Sequence, residues 1–304
     1  MSRRTFLNRS AIAGTAAIIN TTENLATPLP NIKTVPGFEL LVFATNWGYE
    51  GTWDEFCGRI KTLGYDGAEA WYPTEEKIRK EFIDAFQKHN LKIGFLVGGS
   101  DPDPVKQLQE FKFSLEGAAS LRPVYINCHS GRDHFSFEQN KAFIDNTTSV
   151  TARTGIPVYH ETHRSRILYS APVARQYFEK IQELQITLDI SHWCNVHESL
   201  LADQQENIAM ALARTGHIHA RIGHPEGPQV SDPRAPEWKA AVEAHFGWWD
   251  KVAKQKRSEG KQLTFLTEFG PADYMPTIPY TRQPVANQWE INQYMLDILR
   301  ARYA

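Results

Sequence analysis

Apolar strand-like runs and helical patterns alternate eight times along this chain, and that alternation limits its fold more than any single motif. The runs lie near Phe38–Thr45, Gly67–Trp71, Lys92–Val97, Val124–Cys128, Pro157–Glu161, Thr187–Asp189, His217–Ile222 and Leu263–Glu268. Apolar residues at helical spacing follow each one, near Trp53–Leu63, Thr74–His89, Pro104–Ala119, Ser136–Ala152, Ala171–Leu184, His197–Thr215, Pro236–Glu259 and Gln288–Tyr303. Strands joined through helices pair in parallel, and eight such units with no break in composition close into a barrel. An open doubly wound sheet would carry a glycine-rich phosphate loop after its first strand. Here Asn46-Trp47-Gly48-Tyr49-Glu50-Gly51 contains no G-x-G-x-x-G, which argues against a dinucleotide site. The expectation is a single-domain α/β protein, a (β/α)8 barrel over residues 37–304. Gly64 and Gly216 sit where helix C-cap glycines belong, and Asn90-Leu91 and Gly155-Ile156 read as helix-to-strand turns.

Four residues able to bind a divalent cation each close a short apolar stretch in these runs: Glu161, Asp189, Glu268, and His219 at the end of His217-Ile218-His219. In a parallel barrel the C-terminal ends of all strands surround one mouth, so these four, from the fifth to the eighth strand, become neighbours. Carboxylates with an imidazole form a mixed oxygen and nitrogen ligand set, which suits Mn²⁺, Zn²⁺, Fe²⁺ or Co²⁺ better than Mg²⁺. Each residue alone has an ordinary structural explanation, a carboxylate capping the next helix or a histidine bonded to a carbonyl. Four at successive strand ends make a poor coincidence.

Other polar residues fall at the same level: His163 and His192 beyond the fifth and sixth strands, Arg221 two residues past His219, Asn127 and His129 at the fourth strand, and Glu69 in the second. They read as substrate contacts or as partners that orient a ligand. Trp47, Trp71 and Trp193 follow the first, second and sixth strands, and Tyr274 and Tyr280 follow the eighth. Flat apolar faces beside hydroxyl-binding groups are what a sugar ring requires, and packing of long loops is the plainer explanation.

The formal charge is −2 with no long basic block, so there is no electrostatic footprint for nucleic acid. No apolar run reaches the roughly 18 residues that would span a bilayer, and stable membrane insertion is not expected. The N-terminus stands apart: Ser2-Arg3-Arg4-Thr5-Phe6-Leu7 precedes a weakly apolar stretch from Ala11 to Ile19, as in a twin-arginine export signal. Residues 1–36 are therefore set aside as signal and linker, without a clear cleavage site, and a periplasmic or otherwise exported protein is expected. Cys57, Cys128 and Cys194 are odd in number and widely spaced, which fits small buried hydrophobes better than a disulfide framework or zinc site.

In order and spacing, Glu161, the Asp189-x-x-His192 unit, the Gly216-His217-x-His219 unit and Glu268 resemble the xylose-isomerase-like TIM-barrel superfamily of sugar phosphate isomerases and epimerases. The resemblance covers roughly residues 38–303. It implies that Glu161, Asp189, His219 and Glu268 hold one divalent metal ion and that His192 and Arg221 touch a sugar. It also implies that Glu161 and Glu268 face an enediolate intermediate from opposite sides, one removing a proton and the other returning one. The segments His219–Gln229 and Glu268–Pro271 resemble exported bacterial members, and export points to a non-phosphorylated sugar. Three alternatives stand beside this isomerase or epimerase: a lyase or hydrolase of 3-keto-glycosides acting by C2 proton abstraction, an apurinic-site endonuclease on the same barrel, and a non-catalytic periplasmic sugar-binding barrel. The acidic balance and the export signal speak against the endonuclease. The resemblance is compatible with a homo-oligomer, on which the sequence itself is silent.

Overall fold

The computed structural model describes residues 25–29 and 35–304, so the twin-arginine segment lies outside the described residues. Eight strands alternate with helices: β1 (Glu39–Thr45), α1 (Trp53–Leu63), β2 (Gly67–Trp71), α2 (Glu76–Lys88), β3 (Lys92–Gly98), α3 (Pro104–Ser120), β4 (Tyr125–His129), α4 (Phe137–Thr154), β5 (Val158–Glu161), α5 (Ala171–Lys180), β6 (Ile186–Leu188), α6 (Ile190–Val196), α7 (Gln205–Ala213), β7 (Thr215–His219), a 3-10 turn (Pro236–Trp238), α8 (Lys239–Glu259), β8 (Gln262–Thr267) and α9 (Gln288–Tyr303). All neighbouring strands pair in parallel, and β8 closes on β1 from Glu39↔Gln262 to Ala44↔Thr267. The chain is a single-domain (β/α)8 TIM barrel.

Local chemistry starts and stops the helices. Thr52 and Glu55 form a reciprocal capping box on α1, Ser136 and Gln139 do the same on α4, and Asp103 accepts from two N–H groups of α3 ahead of Pro104. Gly64 and Gly155 end α1 and α4 in the left-handed conformation, at φ 91° and 73°.

Gly216 departs from expectation, because it lies inside β7 rather than at a helix end. The helical pattern read over His197–Thr215 splits into α6, which starts directly after Asp189, and α7, which ends at Ala213. A Cβ at Gly216 would stand 2.2 Å from the Tyr159 ring, so the glycine makes room for an aromatic in the neighbouring strand. Strand β7 also stops at His219 instead of Ile222, leaving Ala220 with a bond to Leu266 as the pairing ends.

Side chains alternate along each strand, and the inward set divides into two levels. Leu41, Phe43, Tyr125 and Leu266, with Tyr159 against them, form an apolar plug inside the barrel. Continuing the same alternation, Asn127 and His129 follow Tyr125, Glu161 follows Tyr159, and Glu268 follows Leu266, so the polar side chains gather above the plug at the C-terminal mouth. Outward residues such as Val42, Ala68, Phe95, Ile126, Ile218 and Phe265 belong to the larger core beneath the helices. Leu29 also joins that core, and its N–H donates to the Arg302 carbonyl at 3.2 Å, so part of the segment set aside as linker lies on the last helix. All three cysteines are buried, and burial pushes the Cys57 and Cys194 thiols up to about 12. No helix among the described residues is long and apolar enough to cross a membrane.

Two buried histidines outside the mouth give the fold an acid limit. The ring nitrogens of His160 stand 2.6 Å from Ser130 Oγ and 2.7 Å from Thr147 Oγ1, and burial lowers its pKa to about 3. His245 Nε2 accepts from the Gly223 N–H at 3.1 Å, and burial lowers that imidazole to about 4. An unfolded chain takes up these protons near pH 6.5. Their contribution to stability is therefore complete above about pH 6.5 and is lost as the pH falls toward about 4 for His245 and about 3 for His160. Urea unfolding should show stability declining across that window by up to ~1.4 kcal/mol per pH unit for each histidine. A His160→Gln variant should show a shallower slope, whatever its stability at neutral pH.

Candidate active site

All four proposed ligands stand on or next to strand ends that fix them before any loop is considered. Glu161 is the last residue of β5, His219 the last of β7, and Asp189 follows β6 at once and caps α6. The Asp189 carboxylate accepts from the Ser191 N–H at 3.2 Å and from the Ser191 hydroxyl, while its own N–H donates to Thr162 Oγ1 at 2.8 Å. Glu268 follows β8, and its side chain is 14% exposed where those of Glu161, Asp189 and His219 are fully buried.

His219 lies at the centre. Its Nδ1 is 2.8 Å from Glu268 Oε2 and 3.7 Å from Glu161 Oε2, and its Nε2 is 3.3 Å from Glu69 Oε1. Asp189, His219 and Glu268 present ligand atoms that all lie within 4.8 Å of one another. Glu161 belongs to two overlapping groups of the same tightness, one with Asp189 and His192 and one with His129 and His163. The structure thus brings the four residues into one region, as three close ligands with Glu161 at their border.

The surrounding residues differ in depth. His129 Nε2 is 3.0 Å from Glu161 Oε2, and Trp71 meets the His129 ring edge-on at 5.4 Å. His163 lies tilted between His129 at 4.5 Å and His192 at 3.9 Å. The fully buried His192 places Nε2 2.8 Å from an Arg221 nitrogen. Arg221 is itself buried, pairs directly with Asp189 and stands 3.6 Å from Glu268 Oε2. Tyr274 lies beneath two guanidinium groups, Arg221 at 4.8 Å and Arg164 at 5.2 Å from its ring centre, with Trp47 edge-on at 4.8 Å. Trp47, Trp71, His129, Arg221, Glu268 and Tyr274 share a cavity of about 420 Å³.

Two aromatics read as rim residues are elsewhere. Trp193 is fully buried and donates its indole N–H to the Leu168 carbonyl at 2.8 Å, because α6 turns it inward. Tyr280 is fully exposed and lines no part of the cavity. Glu69, read as a substrate contact, borders the cavity from below and sits 3.3 Å from both His217 and His219. His217 is the residue that the sequence reading passed over, although the His217-x-His219 alternation places both imidazoles on one side of β7. Asn127 also proves central, since its amide donates to Glu161 Oε2 at 2.7 Å and to Glu69 Oε1 at 3.3 Å.

The electrostatics favour a cation. Glu69, Glu161, Asp189 and Glu268 bring four carboxylates together, and Arg221 is the guanidinium in contact with them. Burial disfavours charge on His219, yet Glu268, Glu161 and Glu69 outweigh it and hold this imidazole well above its ordinary pKa. Burial pushes the Asp189 carboxyl up to about 7, against the pull of Arg221 and with a further push from Glu268 and Glu161. Glu161 Oε1 is buried without a hydrogen-bond partner, and the buried Glu268 Oε2 and His219 Nδ1 have none beyond their 2.8 Å contact with each other. Unpartnered oxygen and nitrogen donors in a buried, acidic cluster are what a divalent cation satisfies, so these residues fit the metal implied by the sequence.

The family model described as xylose isomerase-like TIM barrel matches residues 57–234, more than half of the chain. The chain belongs to the xylose isomerase-like TIM-barrel family. The match takes in Glu161, Asp189, His192, His219 and Arg221, while Glu268 lies beyond it. Among solved structures, the 3-keto-D-glucoside 4-epimerase of E. coli is similar at 18% identity and a TM-score of 0.57, covering 86% of this chain and 99% of its own. A D-tagatose 3-epimerase-like protein is similar at 12% identity and a TM-score of 0.58, covering 86% and 97%. A sugar phosphate isomerase/epimerase from Parabacteroides distasonis is similar at 13% identity and a TM-score of 0.52, covering 91% and 98%. At these identities the likeness speaks for the fold that the family shares. No curated protein matches the chain significantly.

Proposed function

We propose that this protein is a divalent-metal-dependent isomerase or epimerase of a non-phosphorylated sugar, working outside the cytoplasm as its twin-arginine-like N-terminus implies. The observation that carries the reading is the convergence of the ligand atoms of Glu161, Asp189, His219 and Glu268 at the barrel mouth, with Glu161 Oε1 unpartnered, beside a cavity with aromatic walls. Glu161, Asp189, His219 and Glu268 would hold the ion, whose Lewis acidity lowers the cost of charge on the oxygens of an enediolate.

The protein's own groups divide the remaining work. Glu268 is the proposed ligand that is partly exposed and lines the cavity, so it is the carboxylate placed to take a proton from the substrate carbon. Glu161 is closed off behind His129, which lines the cavity and stands 3.0 Å from it; a proton returned from this side passes by way of His129 or from Glu161 itself. Arg221, held by Asp189 and stacked on Tyr274, presents a fixed donor to a substrate oxygen. Trp47, Trp71 and Tyr274 offer faces to the sugar's C–H surface. Among the described residues Arg221 is the one lysine or arginine that lines this cavity, and its pairing with Asp189 supports a non-phosphorylated reacting unit.

The open cleft beyond Trp71 favours a second reading on the same chemistry. It leaves room for a substituent on the sugar, and C2 deprotonation of a 3-keto-glycoside would expel the C1 group. NMR analysis of Mn²⁺-loaded protein incubated with free ketoses and with 3-keto-glucosides separates the two. A new epimer or isomer supports the first, and released aglycone supports the second. Conversion of neither class would leave a sugar-binding barrel.

A further inference from the structure

Trp71 borders two cavities, the mouth described above and an open cleft of about 600 Å³ on the other side. Phe113 of α3, Arg132 after β4 and Arg166 after β5 form much of that cleft. Its aromatic walls are unusually bare: Trp71 is 54% exposed and Phe113 66% exposed. Trp71 lies close over the end of β3 because Gly98 has no side chain; a Cβ there would come 3.2 Å from the indole. The indole therefore rests one face on the protein and is half open.

The two arginines are the charged feature of the cleft. Arg166 Nε and Nη1 are buried without a hydrogen-bond partner, an uncommon state for a guanidinium. The Arg132 backbone bonds to the Asn140 side chain, and its guanidinium has no ion pair with a carboxylate among the described residues. The acid that shares the cleft is engaged elsewhere: Glu110 Oε2 accepts from the Ser100 N–H at 2.7 Å and the Asp101 N–H at 3.2 Å. Asp133, which also attracts Arg166, faces His134 at 3.1 Å. Burial disfavours the charge on Arg166 and the like charge of Arg132 adds to that, with Glu161 and Asp133 opposing. Two guanidinium groups repel across a cleft whose bare aromatic leads to the reacting sugar, and an oxyanion between them would satisfy both.

We propose that this cleft is a second subsite, and that the substrate carries an anionic group on a second sugar unit or aglycone stacked on Trp71, held by Arg132 and Arg166. The proposal rests on the reading of the mouth as the place where the sugar reacts. The shared chemistry is an oxyanion, carboxylate or sulfate ester, and the substrate class is an acidic glycoside whose reacting unit is uncharged.

Calorimetric titration of the Mn²⁺-loaded full chain with cellobiose, cellobiouronic acid and a 6-sulfated cellobiose tests it. At least one acidic disaccharide should bind about tenfold or more tightly than cellobiose, the equivalent of one charge-assisted hydrogen bond. The preference should shrink as salt is raised, fall to near unity in Arg166→Gln and return in part in Arg166→Lys, with circular dichroism confirming that both variants fold. The larger of the two acidic gains identifies the anion as carboxylate or sulfate. Equal affinity for all three, including binding of none, overturns the subsite, as does a preference that survives an Arg132→Gln/Arg166→Gln double variant. Ketose turnover without acidic preference overturns the subsite alone. Acidic preference in a protein that turns over no sugar supports the anion cleft and overturns the reading of the mouth.

Discussion

Glu268→Gln should lower kcat by about 10²–10⁴-fold, the range for loss of a positioned general base, with little change in folding stability. The carboxylate is partly exposed at the cavity wall, so an amide of the same shape enters without burying a new unpaired group. What it removes is a partly exposed carboxylate at the cavity wall that can accept a proton. Glu161→Gln should differ in kind, because that side chain is buried and takes hydrogen bonds from Asn127 and His129. Both variants should weaken metal retention, since both carboxylates are proposed ligands, but Glu161→Gln should also lower folding stability. Steady-state kinetics at saturating Mn²⁺ beside urea unfolding separates the two carboxylates. Equal loss of stability in both variants would remove the distinction drawn between them.

Arg221→Met should destabilise the metal-free protein by about 3 kcal/mol or more, because a buried carboxylate, Asp189, loses its direct counter-charge. The methionine fills much of the volume, so packing accounts for little of the loss. Mn²⁺ should restore part of the difference, since a cation among Asp189, His219 and Glu268 supplies the missing positive charge. Urea unfolding with chelator and with Mn²⁺ checks this. Equal losses under both conditions would mean that the carboxylates do not take up the ion.

Much of this architecture was legible in the sequence because barrel formation depends on alternation, which local patterns carry. The helix starts read at Trp53 and Pro104 hold, and Glu161, Asp189 and His219 stood out because each closed an apolar stretch. Depth within the barrel was not legible. Alternation tells which side of a strand a residue faces, whereas its height follows from the stagger between strands: Glu69 pairs with Gly94, which pairs with Tyr125 of the apolar plug, while Glu161 pairs with Thr187 above it. Glu69 therefore lies under the cluster that its residue type suggested it would flank. Gly216 misled for a related reason, since its glycine serves a contact with Tyr159 that is 57 positions away in sequence and set by strand packing. Trp193 was misplaced because a loop was expected where α6 begins directly after Asp189. The unpaired arginines of the outer cleft carried no periodic signal at all; only the folded arrangement shows that Arg132 and Arg166 meet beside Trp71.

The most direct test of the catalytic assignment is proton exchange at the substrate carbon. Wild-type protein, stripped with chelator and reloaded with Mn²⁺, should be incubated with a panel of free ketoses and 3-keto-glucosides in D₂O and followed by NMR. The expected result is deuterium entering the carbon next to the carbonyl in the reloaded protein, with exchange lost in the stripped protein and in Glu268→Gln. Exchange that persists undiminished in Glu268→Gln, or that is absent from every substrate with a stoichiometric metal bound, would contradict it.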